Sequence, residues 1–418
     1  MIDPFTEQIL SITGHHKSSG LSWDVLNHET NTVQNFPIKL DALLYQRTLP
    51  HATIYFKWYE DLFKRVPFYQ EPIESLAELK KQRALEIRRT YDYVRLWFSG
   101  GADSTSALNA FLDNDIHLDE IIVYMWPDQN VSDPLQSSNR ELLLSAIPYL
   151  QLKKDKLTKT KITNITLTKE EYSKVLTGPD KLGYIPFIHS MDSGSFLYGL
   201  NCSQSAWEKV LRETEHENFC DLFGGTKAMV CNNNGNYYLY MVDTGIPDMA
   251  LSKRSEDFHI SKTDPRLFLK TAHLLKNYIK TKYMSPAEVS SLHKDTTRNQ
   301  EYNLALGRDL AYHSVAGRKV DRGDMVNFSS DVGEVIVNHK HFLLVTNLSK
   351  DEEWRRMFLK HQENLRLMKT DFDWIWNFNK QGIPDPRSGY KGHVSKLYSL
   401  DKFYIADNSE IYKNGFTG

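Results

Sequence analysis

The residues best suited to chemistry form one short segment, SGGADST, at positions 99–105. Gly100 and Gly101 lack a Cβ, so the backbone there can turn tightly and approach an anion closely. Hydroxyl donors are supplied by Ser99, Ser104 and Thr105. A carboxylate at Asp103 repels phosphate, but it makes chemical sense if it binds Mg²⁺ that bridges to the phosphate oxygens. The segment therefore predicts a site for a polyphosphate together with a magnesium ion.

This segment lies between a predicted strand and a predicted helix. Residues 93–98 (YVRLWF) are β-branched and aromatic, as is typical of a strand, and residues 107–112 (ALNAFL) favour a helix. The free amides and the positive dipole end of that helix would complete an anion site. The alternative is that the glycine pair is an ordinary turn, with Asp103 or Ser104 as the helix N-cap.

The alternation of strand and helix continues to about residue 243. Buried-type strands are predicted over residues 120–125, 161–167 and 219–223, with helices over 139–152 and 206–217 between them. This pattern predicts an α/β fold, a doubly wound parallel sheet with helices on its faces. Ligands bind such sheets at the carboxyl ends of the strands, which is where residues 99–105 lie.

The phosphate loop is not of the two most familiar kinds. The chain has no Gly-Lys dipeptide, which excludes a Walker A loop, and no G-x-G-x-x-G, which excludes a dinucleotide-binding fingerprint. Ser99-Gly100-Gly101-Ala102-Asp103-Ser104 instead resembles the S-G-G-x-D-S loop of the N-type ATP pyrophosphatases, the PP-loop superfamily. The likeness in order extends over residues 93–227, about a third of the chain. The superfamily includes asparagine synthetase, GMP synthetase, NAD synthetase, 7-cyano-7-deazaguanine synthase, tRNA lysidine synthetase and the thiouridine synthases.

The resemblance implies an adenine nucleotide alpha hydrolase-like fold and an adenylating ligase that uses ATP and Mg²⁺. Such enzymes cleave ATP between the α and β phosphates, adenylate a carbonyl or carboxylate oxygen and release pyrophosphate. A nitrogen or sulfur nucleophile then displaces AMP. Similarity to the family implies that pyrophosphate is bound by Ser99, Gly100, Gly101 and Ser104, with Thr105 beside them, and that Asp103 binds the metal ion.

Two further groups of site residues follow from the resemblance. Tyr124, at the end of the second strand, would lie near the adenine, although it reads equally well as a core strand residue. After the fourth strand come Gly225, Thr226 and Lys227, near the ribose or phosphates, where the lysine would place a positive charge at the α-phosphate as AMP is transferred. The alternative for this second segment is a plain turn with a surface lysine.

The pattern of predicted elements divides the chain into three regions, the second of which contains the resemblance. These are a mostly helical region over residues 1–90, an ATP-binding α/β domain over 91–260, and a mainly helical region with a small hairpin over 261–418. In the first region, residues 56–63 have apolar residues near helical spacing and residues 74–90 form a clearer helix. In the third region we expect helices over 265–283, 299–315 and 351–378, a hairpin over 334–346 and an irregular tail from Gly382 onward.

The cysteines bear on the nucleophile. Only three occur, Cys202, Cys220 and Cys231, none spaced C-x-x-C, so a disulfide scaffold, zinc ribbon or dithiol site is not expected. Persulfide chemistry is therefore disfavoured and nitrogen transfer favoured. The four-cysteine zinc site usual in deazaguanine synthases has no counterpart after Cys231. Position 2 is Ile2 rather than the cysteine of a glutaminase domain, so we expect ammonia, an amine substrate or a partner's product as the nitrogen donor.

Charge and hydropathy set the remaining expectations. The 51 basic and 53 acidic residues nearly balance, so the chain lacks the excess of positive charge that favours nonspecific binding to DNA or to an anionic membrane. No signal peptide or membrane span is recognisable, so a cytoplasmic protein is expected. A small molecule or nucleobase is the preferred acceptor. The alternatives are a related enzyme acting on tRNA, DNA or a protein terminus, and a non-catalytic nucleotide-binding protein; the sequence leaves the oligomeric state open.

Overall fold

The computed structural model describes residues 21–36, 39–125, 137, 139, 142–166, 216–224, 228–233, 236–241, 255–282 and 395–406. The chain begins there with an antiparallel sheet of three strands, in the order β2-β1-β3. Its strands are β1 (Leu21–Asn27), β2 (Thr32–Phe36) and β3 (Ala52–Trp58), with helix α1 (Lys39–Arg47) between the last two and helix α2 (Glu60–Lys64) after them.

The sequence did not predict this small sheet. The helical interpretation of residues 56–63 is wrong over residues 56–58, which end β3, and holds only for the short helix α2. The physical reason is that Phe56 and Trp58 alternate with Lys57, so the two large rings lie on one face of a strand, where they are 0% and 1% exposed. The left-handed backbone of Tyr59 (φ 42°) then separates the strand from the helix.

A parallel sheet of five strands forms the centre of the described chain, in the order β10-β7-β4-β5-β6. The strands are β4 (Tyr93–Trp97), β5 (Glu120–Met125), β6 (Lys161–Thr166), β7 (Phe219–Phe223) and β10 (Ser255–Asp257). The α/β character expected from the sequence is confirmed, with strand bounds within one residue of those predicted for the first four strands of the sheet.

Helices α3 (Leu76–Thr90) and α4 (Ala102–Leu112) pack with the sheet in one apolar core. Val94 and Leu96 of β4, and Phe98 directly after it, are at most 1% exposed and belong to this core. Helix α3 starts with a capping box, because the Ser75 hydroxyl accepts from the Glu78 amide while the Glu78 carboxylate accepts from the Ser75 amide. This start lies two residues inside the predicted helix.

The connection from β5 to β6 contains a π-helical turn over Leu142–Ala146 that leads into α5 (Ile147–Leu152) and then a 3₁₀ turn over Lys154–Lys156. Among the described residues, the regular part of the helix predicted over 139–152 therefore begins at residue 142. The π turn places the backbone of Ala146 against Gly100, in the bend that follows β4.

A third sheet is antiparallel, with the strand order β12-β11-β9-β8. It combines β8 (Met229–Asn233) and β9 (Asn236–Tyr240) with β11 (Leu397–Ser399) and β12 (Ile405–Ala406). The expectation of an irregular tail from Gly382 onward is wrong for these last two strands. They are only three and two residues long, and β11 is defined by pairing Tyr398 with the distant Leu239 rather than by its own pattern.

Helix α6 (Arg266–Lys282) lies within one residue of its predicted bounds and joins the N-terminal sheet to the C-terminal strands through an aromatic cluster. The Phe268 and Phe63 rings each lie 4.7 Å from the Trp58 ring, and the Tyr398 ring lies 5.4 Å from both Phe63 and Phe68. The N-terminal sheet, α6 and the C-terminal strands therefore share one packed interior.

In the described part of the chain, no helix has the length and apolar composition needed to cross a bilayer. Several predicted elements lie outside the described residues: the helix over 206–217 except for its last two residues, which are described and are not helical, the helices over 299–315 and 351–378, and the hairpin over 334–346.

Candidate functional site

A tight bend follows β4, as the glycine pair predicts. Gly100 has φ +77°, in the left-handed region that favours glycine. A Cβ at this position would lie 2.5 Å from the backbone nitrogen of Ala146 and 2.7 Å from its Cα. The Ser145 hydroxyl donates to the Gly100 carbonyl at 2.7 Å. Both the backbone conformation and the close approach of the π turn therefore require glycine at residue 100.

The serines of the segment hold the bend onto the start of α4. The Gly101 amide donates to Ser99 Oγ at 3.2 Å, and the Ser99 and Ser104 hydroxyl oxygens lie 3.2 Å apart. The Thr105 amide makes the first helical bond, to the Gly101 carbonyl at 3.0 Å. Gly101 is the N-cap and has no side chain with which to cap the helix. The alternative in which Asp103 or Ser104 is the N-cap is thus excluded, since both lie inside the first turn.

A second glycine packs directly against this turn. A Cβ on Gly224, the residue after β7, would lie 2.8 Å from the Asp103 carbonyl oxygen and 2.9 Å from the Ser104 nitrogen. The sequence interpretation placed a second glycine segment beside the first; among its residues, Gly225, Thr226 and Lys227 lie outside the described residues. Gly224 shows that the two chain segments meet backbone to backbone.

The strand order changes direction at this place. Neighbouring strands across the sheet follow the order β6, β5, β4, β7, β10. After β4 the chain therefore adds β5 and β6 on one side of β4, and then β7 and β10 on its other side. The register pairs Trp97 with Ile122 and Leu96 with Leu222, which brings the carboxyl ends of β5 and β7 level with the bend. Tyr124 therefore lies at this edge by its backbone. A crevice where the strand order reverses is the usual ligand position in open α/β sheets.

Thr105 and Ser106 follow the bend on α4. Thr105 is 1% exposed and Ser106 is 7% exposed, and neither hydroxyl oxygen has a hydrogen-bond partner among the described residues. Of the predicted phosphate ligands, Ser99 and Gly101 are half-buried, while Gly100, Ser104 and Thr105 are buried.

A lysine that the sequence interpretation did not single out lies near Asp103. Lys80, on α3, is 8% exposed, and burial lowers its pKa to about 8, while the Asp103 carboxylate acts in the opposite direction. From sequence, a lysine in a helix of many charges reads as solvent-exposed. The sequence signal that Lys80 is buried is its spacing. It lies four residues after Leu76 and four before Ala84, and both of these residues face the core.

The donors present fit a magnesium ion that is shared with a phosphate. In the described ranges no three His, Cys, Asp or Glu side chains cluster as the ligands of a protein-only metal site would. Mg²⁺ typically keeps several waters and binds through one or two carboxylates and the substrate phosphates. Asp103, half-buried in the first turn of α4, is the described carboxylate in the position to do this.

An ion pair joins the two strands that carry the glycine bends. Arg95 donates through Nε to Asp221 Oδ1 and through Nη2 to Oδ2 at 3.0 Å, and Trp97 Nε1 donates to the same carboxylate at 2.9 Å. The two charged side chains are 0% and 1% exposed. Burial raises the pKa of Asp221, and the Arg95 and Trp97 donors act against that rise. A charged residue in the middle of the buried-type segment YVRLWF was the available signal for this pair.

Comparison of the chain with models of known protein families found no match, and a search of curated proteins found none either.

Proposed function

We propose that the chain binds ATP with Mg²⁺ at the bend over residues 99–104 and transfers AMP to an acceptor, as the PP-loop enzymes that it resembles do. The observation that carries the proposal is the tight left-handed bend at Gly100, which leads into the first turn of α4 at the point where the strand order reverses. Free main-chain amides at the start of a helix bind phosphate, and the crevice at such a reversal is the usual ligand position in an open α/β sheet. We also propose that the five-stranded parallel sheet is doubly wound, which means that helices cover both of its faces.

In the proposed complex, the β- and γ-phosphates accept hydrogen bonds from the main-chain amides at the start of α4 and from the Ser99 and Ser104 hydroxyls. The two hydroxyl oxygens are 3.2 Å apart, so one phosphate oxygen on the same side of both could accept from each of them. Asp103 would hold the magnesium ion, which when bound neutralises charge on the leaving pyrophosphate. Tyr124, at the end of the neighbouring strand, would border the adenine.

The proposed reaction has two steps. An acceptor carbonyl or carboxylate oxygen attacks the α-phosphorus, the bond from that phosphorus to the α,β-bridging oxygen breaks, and pyrophosphate leaves with its electron pair. A nitrogen nucleophile then attacks the adenylated carbon, and AMP leaves with the former acceptor oxygen. Lys227 would place positive charge at the α-phosphate, and ammonia, an amine or a partner's product would supply the nitrogen. The acceptor class is a small molecule or nucleobase.

The test is the product formed from ATP. The protein is incubated with Mg²⁺, a metabolite extract and ATP radiolabelled at the α-phosphate. The proposal expects label in AMP or an adenylated acceptor, together with pyrophosphate. Label in ADP alone would indicate transfer or hydrolysis of the γ-phosphate and would contradict the proposal.

A further inference from the structure

The first half of α3 lies at the same edge of the sheet as the phosphate-binding bend. Arg83, on this half, donates through Nη2 to the Asp257 and Ile260 carbonyls at 2.8 and 3.2 Å and through Nε to the Phe258 carbonyl at 3.3 Å. It also pairs with the Glu256 carboxylate at 2.9 Å. These acceptors lie at and just beyond the carboxyl end of β10. The Arg83 side chain thereby fixes the position of α3 along the direction of the strands, relative to their carboxyl ends.

Lys80 lies almost one helical turn nearer to the start of α3 than Arg83. Helix α3 ends at Thr90 and β4 begins at Tyr93, so the helix, packed on the strand, runs back along it. The ten residues from Thr90 back to Lys80 cover about 15 Å along the helix axis. The six residues from Tyr93 forward to Ser99 cover about 20 Å along the strand, so the two lengths are similar. Lys80 is therefore level with the end of β4 and near the bend.

The buried position of Lys80 requires negative charge beside it. An ammonium group taken out of water is costly unless an anion pairs with it, and the positive end of α4 adds to that cost. Asp103 supplies one negative charge to Lys80. When Asp103 binds a magnesium ion, that charge is shared with the metal. A phosphate bridged by the same magnesium ion would bring further negative charge to the end of α3 where Lys80 lies.

We infer that Lys80 is a phosphate-binding residue, whose ammonium donates to a β- or γ-phosphate oxygen of the nucleotide. This inference rests on the proposed nucleotide site and adds to it a ligand from the helix that precedes the central strand. Its consequence is selectivity: Lys80 contributes to the binding of ATP and pyrophosphate, which carry the outer phosphates, and contributes nothing to AMP.

Calorimetric titration tests this with three probes, each in the presence of Mg²⁺: inorganic pyrophosphate, ATP and AMP. Lys80→Met and Lys80→Gln both remove the charge, and two replacements are made so that the measurement does not depend on one variant folding. Lys80→Arg keeps the charge. Lys81→Met is the matched control, because Lys81 is the next residue of the same helix and is exposed.

We expect Lys80→Met and Lys80→Gln to bind pyrophosphate and ATP about tenfold or more weakly than the wild type, the size of one charge-assisted hydrogen bond. AMP binding and Lys81→Met stay at wild-type values, and Lys80→Arg retains most of the affinity. Wild-type pyrophosphate affinity in a folded Lys80→Met or Lys80→Gln protein would overturn the inference and leave the nucleotide site standing. A wild-type protein that binds neither pyrophosphate nor ATP would overturn both.

Discussion

Gly224 follows β7 and Asp103 lies in the first turn of α4, far apart in the sequence, yet a Cβ on the glycine would lie 2.8 Å from the carbonyl oxygen of the aspartate. Real side chains do not tolerate that separation, so the end of β7 and the first turn of α4 can meet only through a glycine. The contact holds the backbone of Asp103, whose carboxylate we propose as the ligand of the metal ion. It also makes the geometry of the bend sensitive to a single methyl group.

Gly224→Ala should therefore displace the first turn of α4. The added methyl group meets backbone atoms of Asp103 and Ser104, which cannot rotate away as a side chain could. We expect a loss of about 1–3 kcal/mol in the free energy of unfolding and ATP binding weakened by about tenfold or more. Urea denaturation and calorimetry measure the two effects. An alanine variant that binds ATP as the wild type does would show that the contact has no part in the site.

Gly100→Ala tests the left-handed bend itself. At φ +77° a side chain is strained by about 1–2 kcal/mol, and the new Cβ also meets Ala146. Ala146→Gly in the same protein should not restore stability, because the two closest atoms, at 2.5 and 2.7 Å, belong to the backbone of residue 146. Rescue by that second change, measured by urea denaturation, would mean that the collision involves only the Ala146 methyl group.

Asp103→Asn should abolish ATP turnover and leave the protein folded. The substitution keeps the shape of the side chain but removes the charge that holds the metal ion, so we expect turnover to fall by about a hundredfold or more. The matched control is Asp115→Asn, an exposed residue after the same helix with φ 55°, a conformation that asparagine accepts. Near-normal turnover of a folded Asp103→Asn protein would show that the metal assignment is wrong.

Asp221→Ala should destabilise the protein strongly. It leaves the Arg95 guanidinium and the Trp97 indole nitrogen buried without the carboxylate that accepts from them. Breaking a buried ion pair from one side typically costs about 3–5 kcal/mol. Replacing both charges, with Arg95→Met and Asp221→Leu together, should recover much of the loss. Asp92→Ala, at an exposed position just before β4, is the control; a similar small loss in both single variants would refute a strong role for the pair.

His273 should make the protein less stable in mild acid. It is 3% exposed, donates through Nε2 to the Phe68 carbonyl at 3.0 Å, and burial lowers its pKa from the ordinary value of 6.5. The unfolded chain therefore binds a proton at a higher pH than the folded protein does. The free energy of unfolding falls as the pH drops below 6.5 and continues to fall until the folded pKa is reached. Urea midpoints across this range should change less steeply in His273→Gln, and equal slopes would contradict the assignment.

The central strands and the bend could be predicted because their signals are local. The buried-type segments over residues 93–98, 120–125 and 219–223 are apolar except for one charged residue in each, and the glycine pair after the first of them marks where the chain turns. The small sheets could not be predicted in the same way. Strand β11 exists through its pairing with β9. The hairpin of β8 and β9 has one local signal in the sequence, the Asn-Gly dipeptide at positions 234–235 between the paired Asn233 and Asn236.

For the site, the sequence supplied the residues of one loop but not their neighbours from elsewhere in the chain. Lys80 and Ala146 approach the bend from positions about 20 and 45 residues away, through packing that no motif records. The Arg95–Asp221 pair likewise depends on the register of two strands that are far apart in sequence.

The most direct test of the central claim is a crystal structure of the protein with Mg²⁺ and α,β-methylene-ATP, which cannot be cleaved between the α and β phosphates. We predict that its outer phosphates lie within hydrogen-bonding distance of the amides at the start of α4, with the metal ion bound to Asp103. A nucleotide bound elsewhere, or an empty bend at saturating nucleotide, would contradict the account.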